Sequence, residues 1–217
     1  MRALALLMLV TSLGACRPDP GVPDYSGLTG LFGDGGAPEL KPGPFPYMTG
    51  SRRLAFGAFY EGAASDRLPL DHYYIFSNSY ATQPSDERVE GLQSDELDFK
   101  GTGFWGGGLF WDAPTNLTGW STLHVSLWSS DPGLAVIAVR TLYFGPAPGN
   151  AEVTLQVKAN DYGWVNDGQW HSLSIPLADF RGLDLGRMRS PFTVGNDVSG
   201  GTAKTGEVLL IDDVYVD

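Results

Sequence analysis

With a single cysteine, Cys16, among 217 residues, the chain can form no intramolecular disulfide and no thiolate metal site of several cysteines. Histidine is almost as scarce. His72, His124 and His171 lie far apart, and none belongs to a His-x-x-x-His spacing that would bring two imidazoles to one metal. Lysine and arginine total 14 against 25 acids and form no basic cluster. Such a chain is a poor partner for nucleic acid, whose phosphates need Lys and Arg, and it does not adhere electrostatically to anionic lipid. It also has no Gly-x-Ser-x-Gly elbow, no P-loop and no Gly-x-Gly-x-x-Gly after a strand, and no pair of carboxylates stands out as a glycosidase dyad. No segment offers three turns of apolar residues at helical spacing. The sequence therefore reads as a non-enzyme, and its 42% of apolar residues are ample for one core.

The first charged and apolar residues are organised as an export signal. Met1-Arg2 is a short positive start, and Ala3–Leu13 is an uncharged apolar run. Eleven residues are too few for a transmembrane helix, which needs about 20, but they fit the apolar part of a secretory signal. Leu13-Gly14-Ala15-Cys16 resembles the lipobox of bacterial lipoproteins. That resemblance implies cleavage after residue 15, lipid on Cys16 and attachment to a membrane of the cell envelope. The alternative is an ordinary signal peptide with small residues near its cleavage site. Arg17 follows the cysteine, where enteric lipoproteins kept at the inner membrane have Asp, so an outer-membrane location is expected, on either its periplasmic face or the cell surface. The cleaved chain carries 13 basic and 25 acidic side chains, a formal charge of −12. Residues 16–50 are rich in Pro and Gly without any periodicity, as a flexible tether requires. Such a tether holds residues 51–217 on average about 30 Å from the lipid.

From residue 51 the pattern becomes short alternating runs separated by turn sequences. In Glu152–Val157, Val153, Leu155 and Val157 face one way, and Glu152, Thr154 and Gln156 the other. Leu123/Val125/Leu127 against His124/Ser126/Trp128, and Leu173/Ile175 against Ser172/Ser174, repeat the period of two. Strands are expected at 54–60, 73–77, 97–100, 108–111, 122–128, 135–144, 152–159, 171–176 and 208–216. Between them lie turn formers such as Asp131-Pro-Gly133 and Asn166-Asp-Gly168. The expected class is all-β, an antiparallel β-sandwich.

The C-terminal third adds a family resemblance. Asp167-Gly-Gln-Trp-His171, Leu173-Ser-Ile-Pro-Leu177, Asp179-Phe180 and Leu210-Ile-Asp-Asp-Val214 resemble the closing strands of galactose-binding-like jelly rolls, including carbohydrate-binding modules attached to bacterial glycoside hydrolases. The resemblance implies a jelly roll that binds carbohydrate without catalysis; a structural or assembly subunit contacting an envelope protein is the alternative. For sugar stacking the candidates are Trp105, Trp111, Trp128 and Trp164, while Trp120 and Trp170 are expected in the core. Related jelly rolls often carry one structural Ca2+ between first and last strands. By that resemblance Glu61, Asp212 and Asp213 are candidate oxygen ligands.

Overall fold

The computed structural model describes residues 52–56, 66–146, 151–197 and 201–217. The signal sequence, Cys16, the tether and Glu61 lie outside these residues. Twelve strands account for most of the regular structure: β1 (Leu54–Ala55), β2 (Asp66–Arg67), β3 (His72–Ile75), β4 (Tyr80–Ser85), β5 (Ser94–Phe99), β6 (Gly106–Phe110), β7 (Thr122–Trp128), β8 (Ile137–Phe144), β9 (Glu152–Lys158), β10 (His171–Pro176), β11 (Met188–Asn196) and β12 (Val208–Val216). The other elements are short 3-10 turns, and no helix among the described residues is long and apolar enough to cross a membrane.

The strands form two sheets. One runs β10-β7-β12, and β12 then shares its far edge between β5, which pairs with β4, and β1, which pairs with β2. The other is five-stranded, in the order β3-β6-β11-β8-β9. Apart from the two-residue β1–β2 pair, every pairing is antiparallel. The period of two explains the core directly. Leu123, Val125, Leu127, Leu173, Ile175, Leu209 and Ile211 point inward from the larger sheet, and Leu109, Val139 and Val194 from the smaller one. The all-β sandwich inferred from alternation is thus the observed architecture.

Two strands lie outside the expected runs because they break the alternation and proline rules. β11, central in its sheet, contains Pro191 and Gly195. Register shifts between Met188 and Ser190 and between Ser190 and Thr193 place the proline in an irregular stretch where its missing N–H costs no regular ladder bond. β4 is a polar edge strand with Pro84 and buries only Tyr80 fully. β12 also bulges, between Asp212 and Tyr215, at the point where its outer edge passes from β5 to β1. Asp213 sits in that bulge at φ +60, a conformation non-glycine residues seldom adopt.

Candidate functional site

Three of the four tryptophans expected to stack sugar are core residues. Trp105 packs edge-on against Phe99 at 4.8 Å. Trp111 meets Phe56 at 5.8 Å and donates its indole N–H to the Pro69 carbonyl at 2.7 Å. Trp164 donates to the Leu134 carbonyl at 3.0 Å from a buried loop position. Trp128 is only partly buried, but its register partner is Leu210 on the larger sheet, and its N–H is held by the Gly168 carbonyl. Trp120 and Trp170, expected inside, are also only partly buried. The four candidates therefore form no common platform.

The exposed aromatic surface lies on the other sheet and uses Phe and Tyr. Register sets it out strand by strand. Tyr74 pairs with Gly108, Gly108 with Thr193, Thr193 with Arg140, and Arg140 with Gln156, so these residues share one face across all five strands. The neighbouring row, Ile75, Gly107, Val194, Val139 and Val157, faces the core. On the outer face His72 and Tyr74 lie 5.2 Å apart between ring centroids, Tyr74 and Phe110 5.3 Å, Phe110 and Phe76 6.1 Å, and Phe76 and Phe104 6.5 Å. Tyr74 keeps 44% of its surface in water and Phe104 53%, unusual exposures for rings of this size.

Glycines let this row settle onto the sheet. A Cβ on Gly106 would come 3.1 Å from Cδ2 of Phe76, and one on Gly108 would run into the Thr193 side chain and the Phe192 carbonyl. The Gly106–Gly108 run thus permits close approach of strands and rings.

Charges frame one end of the row. The His72 imidazole contacts both oxygens of Asp112, at 3.0 and 2.9 Å. Arg189 donates from Nε to Glu152 at 2.9 Å and lies 3.4 Å from Asp112. Its guanidinium carbon stands 5.6 Å from the Phe110 centroid and 5.4 Å from that of Phe144, and it also donates to the Trp111 carbonyl. Farther along, Arg140 donates to Gln156 and to the Asn196 carbonyl, and Lys158 lies 3.9 Å from Asp197. Aromatic faces and fixed polar groups thus alternate on one surface.

The two aspartates singled out in β12 have different duties. Asp212 accepts the backbone N–H groups of Val89 (2.8 Å), Glu90 (2.9 Å) and Asp213 (2.7 Å), so it staples the 86–93 segment to the bulge. Its oxygens are thus already engaged by backbone N–H groups. Asp213 is fully buried and neither oxygen accepts a hydrogen bond from a described residue. Burial above all, then the neighbouring Glu90 and Asp212, pushes its carboxyl up to about 9, against the opposing charge of Arg53. Glu90 is nearly buried too, with Oε2 4.0 Å from the Arg53 guanidinium. Buried carboxylate oxygens that accept no hydrogen bond, as on Asp213, are what a hard cation seeks. No cluster of three or more acids, histidines or cysteines able to hold a metal occurs among the described residues. Nearby, Arg53 lies over Tyr215, Tyr215 stacks on His124 at 4.6 Å, and His124 bridges Ser174 (3.1 Å) and Asp217 (3.2 Å).

No protein-family model and no curated protein sequence matches the chain. Solved structures do. The chain shares the fold of a carbohydrate-binding module. That module is the family 30 domain of a cellulosomal cellulase of Clostridium thermocellum, at TM-score 0.52 and 12% identity over 67% of this chain and 89% of the module. A family 11 carbohydrate-binding module from the same organism gives TM-score 0.49 and 15% identity over 67% and 85%. An exo-1,3/1,4-β-glucanase from Pseudoalteromonas gives 0.44 and 12% over 64% of this chain, but over only 16% of the enzyme. At these identities the likeness establishes the β-sandwich jelly roll and nothing finer.

Proposed function

We propose that the chain is a non-catalytic carbohydrate-binding protein of the cell envelope that holds a glycan chain along the outer face of its five-stranded sheet. The observation that carries this reading is the row His72, Tyr74, Phe110, Phe76 and Phe104, with Tyr74 and Phe104 half in water. A pyranose offers a ring of C–H groups on its face and hydroxyls at its rim. The exposed rings of Tyr74 and Phe104, backed by the buried Phe110, match the first, and Arg189, Asp112, Glu152 and Gln156 match the second. Rings stepping by 5.2 to 6.5 Å suit a chain of sugars better than a single residue. The fold shared with the family 30 module supports the same reading. A glycan array probed with the protein, with calcium and with chelator, tests it: glycan spots lost on Tyr74→Ala are expected, and an array without signal contradicts it.

The same exposed rings also suit the contact surface of an envelope protein, the second reading. That reading predicts no glycan signal and loss of a protein partner on Phe104→Ala.

In our reading the module is held at the membrane by lipid on Cys16, at the outer membrane, with residues 17–50 as its tether. Membrane-fraction recovery that disappears with Cys16→Ser is the corresponding test. A bound Ca2+ would be held by Asp213 and Glu90, with Glu61 as a further ligand, and would add to Arg53 the positive charge needed to balance two buried carboxylates.

A further inference from the structure

We infer that β9 is a self-pairing edge through which a second copy of this chain docks, joining two five-stranded sheets into one of ten. Three observations carry this, none of which depends on the glycan reading.

The first is that, among the described residues, no strand or loop pairs with the outer edge of β9. The strand is seven residues long, pairs on one side with β8, and none of the turn or loop backbone hydrogen bonds among the described residues reaches 152–157. An edge of that length is a template for another strand. The other described edges are blunted: β2 and β3 have two and four residues, and β4 and β10 contain Pro84 and Pro176.

The second is the sequence of the strand, Glu152-Val-Thr-Leu-Gln-Val-Lys158, which is its own complement when reversed. Antiparallel pairing about a two-fold axis at Leu155 sets Glu152 opposite Lys158 of the partner subunit, Val153 opposite Val157, Thr154 opposite Gln156, and Leu155 opposite itself. Every cross-strand pair is then apolar on apolar, polar on polar, or of opposite charge. A shift of one residue would turn the apolar set to the wrong face.

The third is burial. Leu155 and Val157 are packed against the core but remain only partly covered, so a partner's Val153 and Leu155 would extend the core. Glu152 and Lys158, at the two ends of the strand, keep nearly half of their side chains in water beside Arg189 and Asp197. The interface is isologous, as a two-fold dimer requires. A single strand pair falls below the roughly 1,200 Å² of a standard stable interface, so the dimer is weak and driven by concentration. Both aromatic faces end up on the same side of the joined sheet, so a membrane-held pair presents two sites to one polymer.

Two experiments on the full chain test this, with Cys16→Ser in every sample. In the first, Leu155→Cys and Val153→Cys are air-oxidised. Paired at the two-fold axis, residues 155 lie about 4.5–5.5 Å apart, within reach of a disulfide, whereas residues 153 are four positions out of register. A covalent dimer with Leu155→Cys and none with Val153→Cys is expected; no dimer with either, or equal dimer with both, overturns the proposal. The second arm keeps the core intact. Glu152→Lys faces Lys158 of the partner subunit with like charge twice per dimer, and sedimentation equilibrium should show self-association weakened by about tenfold or more. Glu152→Lys with Lys158→Glu restores opposite charges and should restore the association. A wild-type chain monomeric up to millimolar concentration, or a double variant no tighter than the single one, refutes it.

Discussion

Replacing Asp213 with asparagine should make the protein more stable above pH 7, although it removes a charge from the last strand. The carboxyl is fully buried without a hydrogen-bond donor among the described residues and titrates at about 9. Its folded-state value lies above the unfolded one near 4, so the protonated form favours the fold. That contribution is complete below about pH 4 and is lost as pH rises towards 9, at about 1.4 kcal/mol per unit. By pH 8 the loss would approach about 5 kcal/mol for a single independent carboxyl, an upper bound here because the Glu90 carboxyl lies beside it and the two do not ionise independently. An amide cannot ionise, and asparagine tolerates the positive φ at this position. Leaving the amide incompletely hydrogen-bonded costs about 1–3 kcal/mol, so the net gain at pH 8 is at most about 2–4 kcal/mol. For a domain of this size that is a rise in melting temperature on the order of 5–10 °C. The assay is thermal unfolding followed by circular dichroism in chelator at pH 5 and pH 8. Wild type should lose stability between the two pH values and the variant should not. A variant that melts below wild type at pH 8, or a wild type indifferent to pH, refutes the reasoning.

The remaining predictions concern the same core and its edges. Calcium at 100 times its dissociation constant should stabilise wild type by about 2.7 kcal/mol, and Asp213→Asn should abolish the shift; identical melting with and without chelator removes the cation. His124 has its pKa lowered by burial, with Asp217 opposing, so its own contribution, seen most cleanly on the Asp213→Asn background, should fall as pH drops through the ordinary histidine range near 6.5. His124→Phe should keep the stack on Tyr215 and flatten that acid limb in a pH series of melts. Gly107→Ala would place a methyl on the Tyr80 hydroxyl and 2.6 Å from the Tyr74 carbonyl, and should cost about 1–3 kcal/mol by denaturant titration. Unchanged stability there would mean that β3 and β6 are not held as close as described.

The sandwich was legible because period two reports which side chains share a face, and β7, β10 and β12 begin and end where alternation places them. Alternation does not report whether a face is covered. In β6 the inward Leu109 and the outward Phe110 are both buried, so no pattern along Gly106–Phe110 separates them. Trp164 was misread for a related reason. Its neighbours from Asn160 to Asp167 are polar, yet a left-handed turn at Gly163 tucks the indole under the loop to reach the Leu134 carbonyl. The aromatic row was invisible because it joins residues some 30 positions apart, Tyr74 with Phe110 and Phe76 with Phe104, across strands whose register only the fold provides. β11 was missed because its proline argued against a central strand, and the irregular register that accommodates it leaves no sequence signature. Glu90 was missed because it lies more than 120 positions from the Asp213 bulge, which the 86–93 segment reaches through tertiary contacts such as the backbone bonds to Asp212.

The most direct test of glycan recognition is native affinity electrophoresis of the protein through gels containing soluble polysaccharides, neutral and uronate-bearing, one per gel. At least one polysaccharide should retard wild type, and Tyr74→Ala combined with Phe104→Ala should migrate freely in that gel while melting at the wild-type temperature. Retardation equal for wild type and the double variant, or none in any gel, would contradict a glycan site on this face.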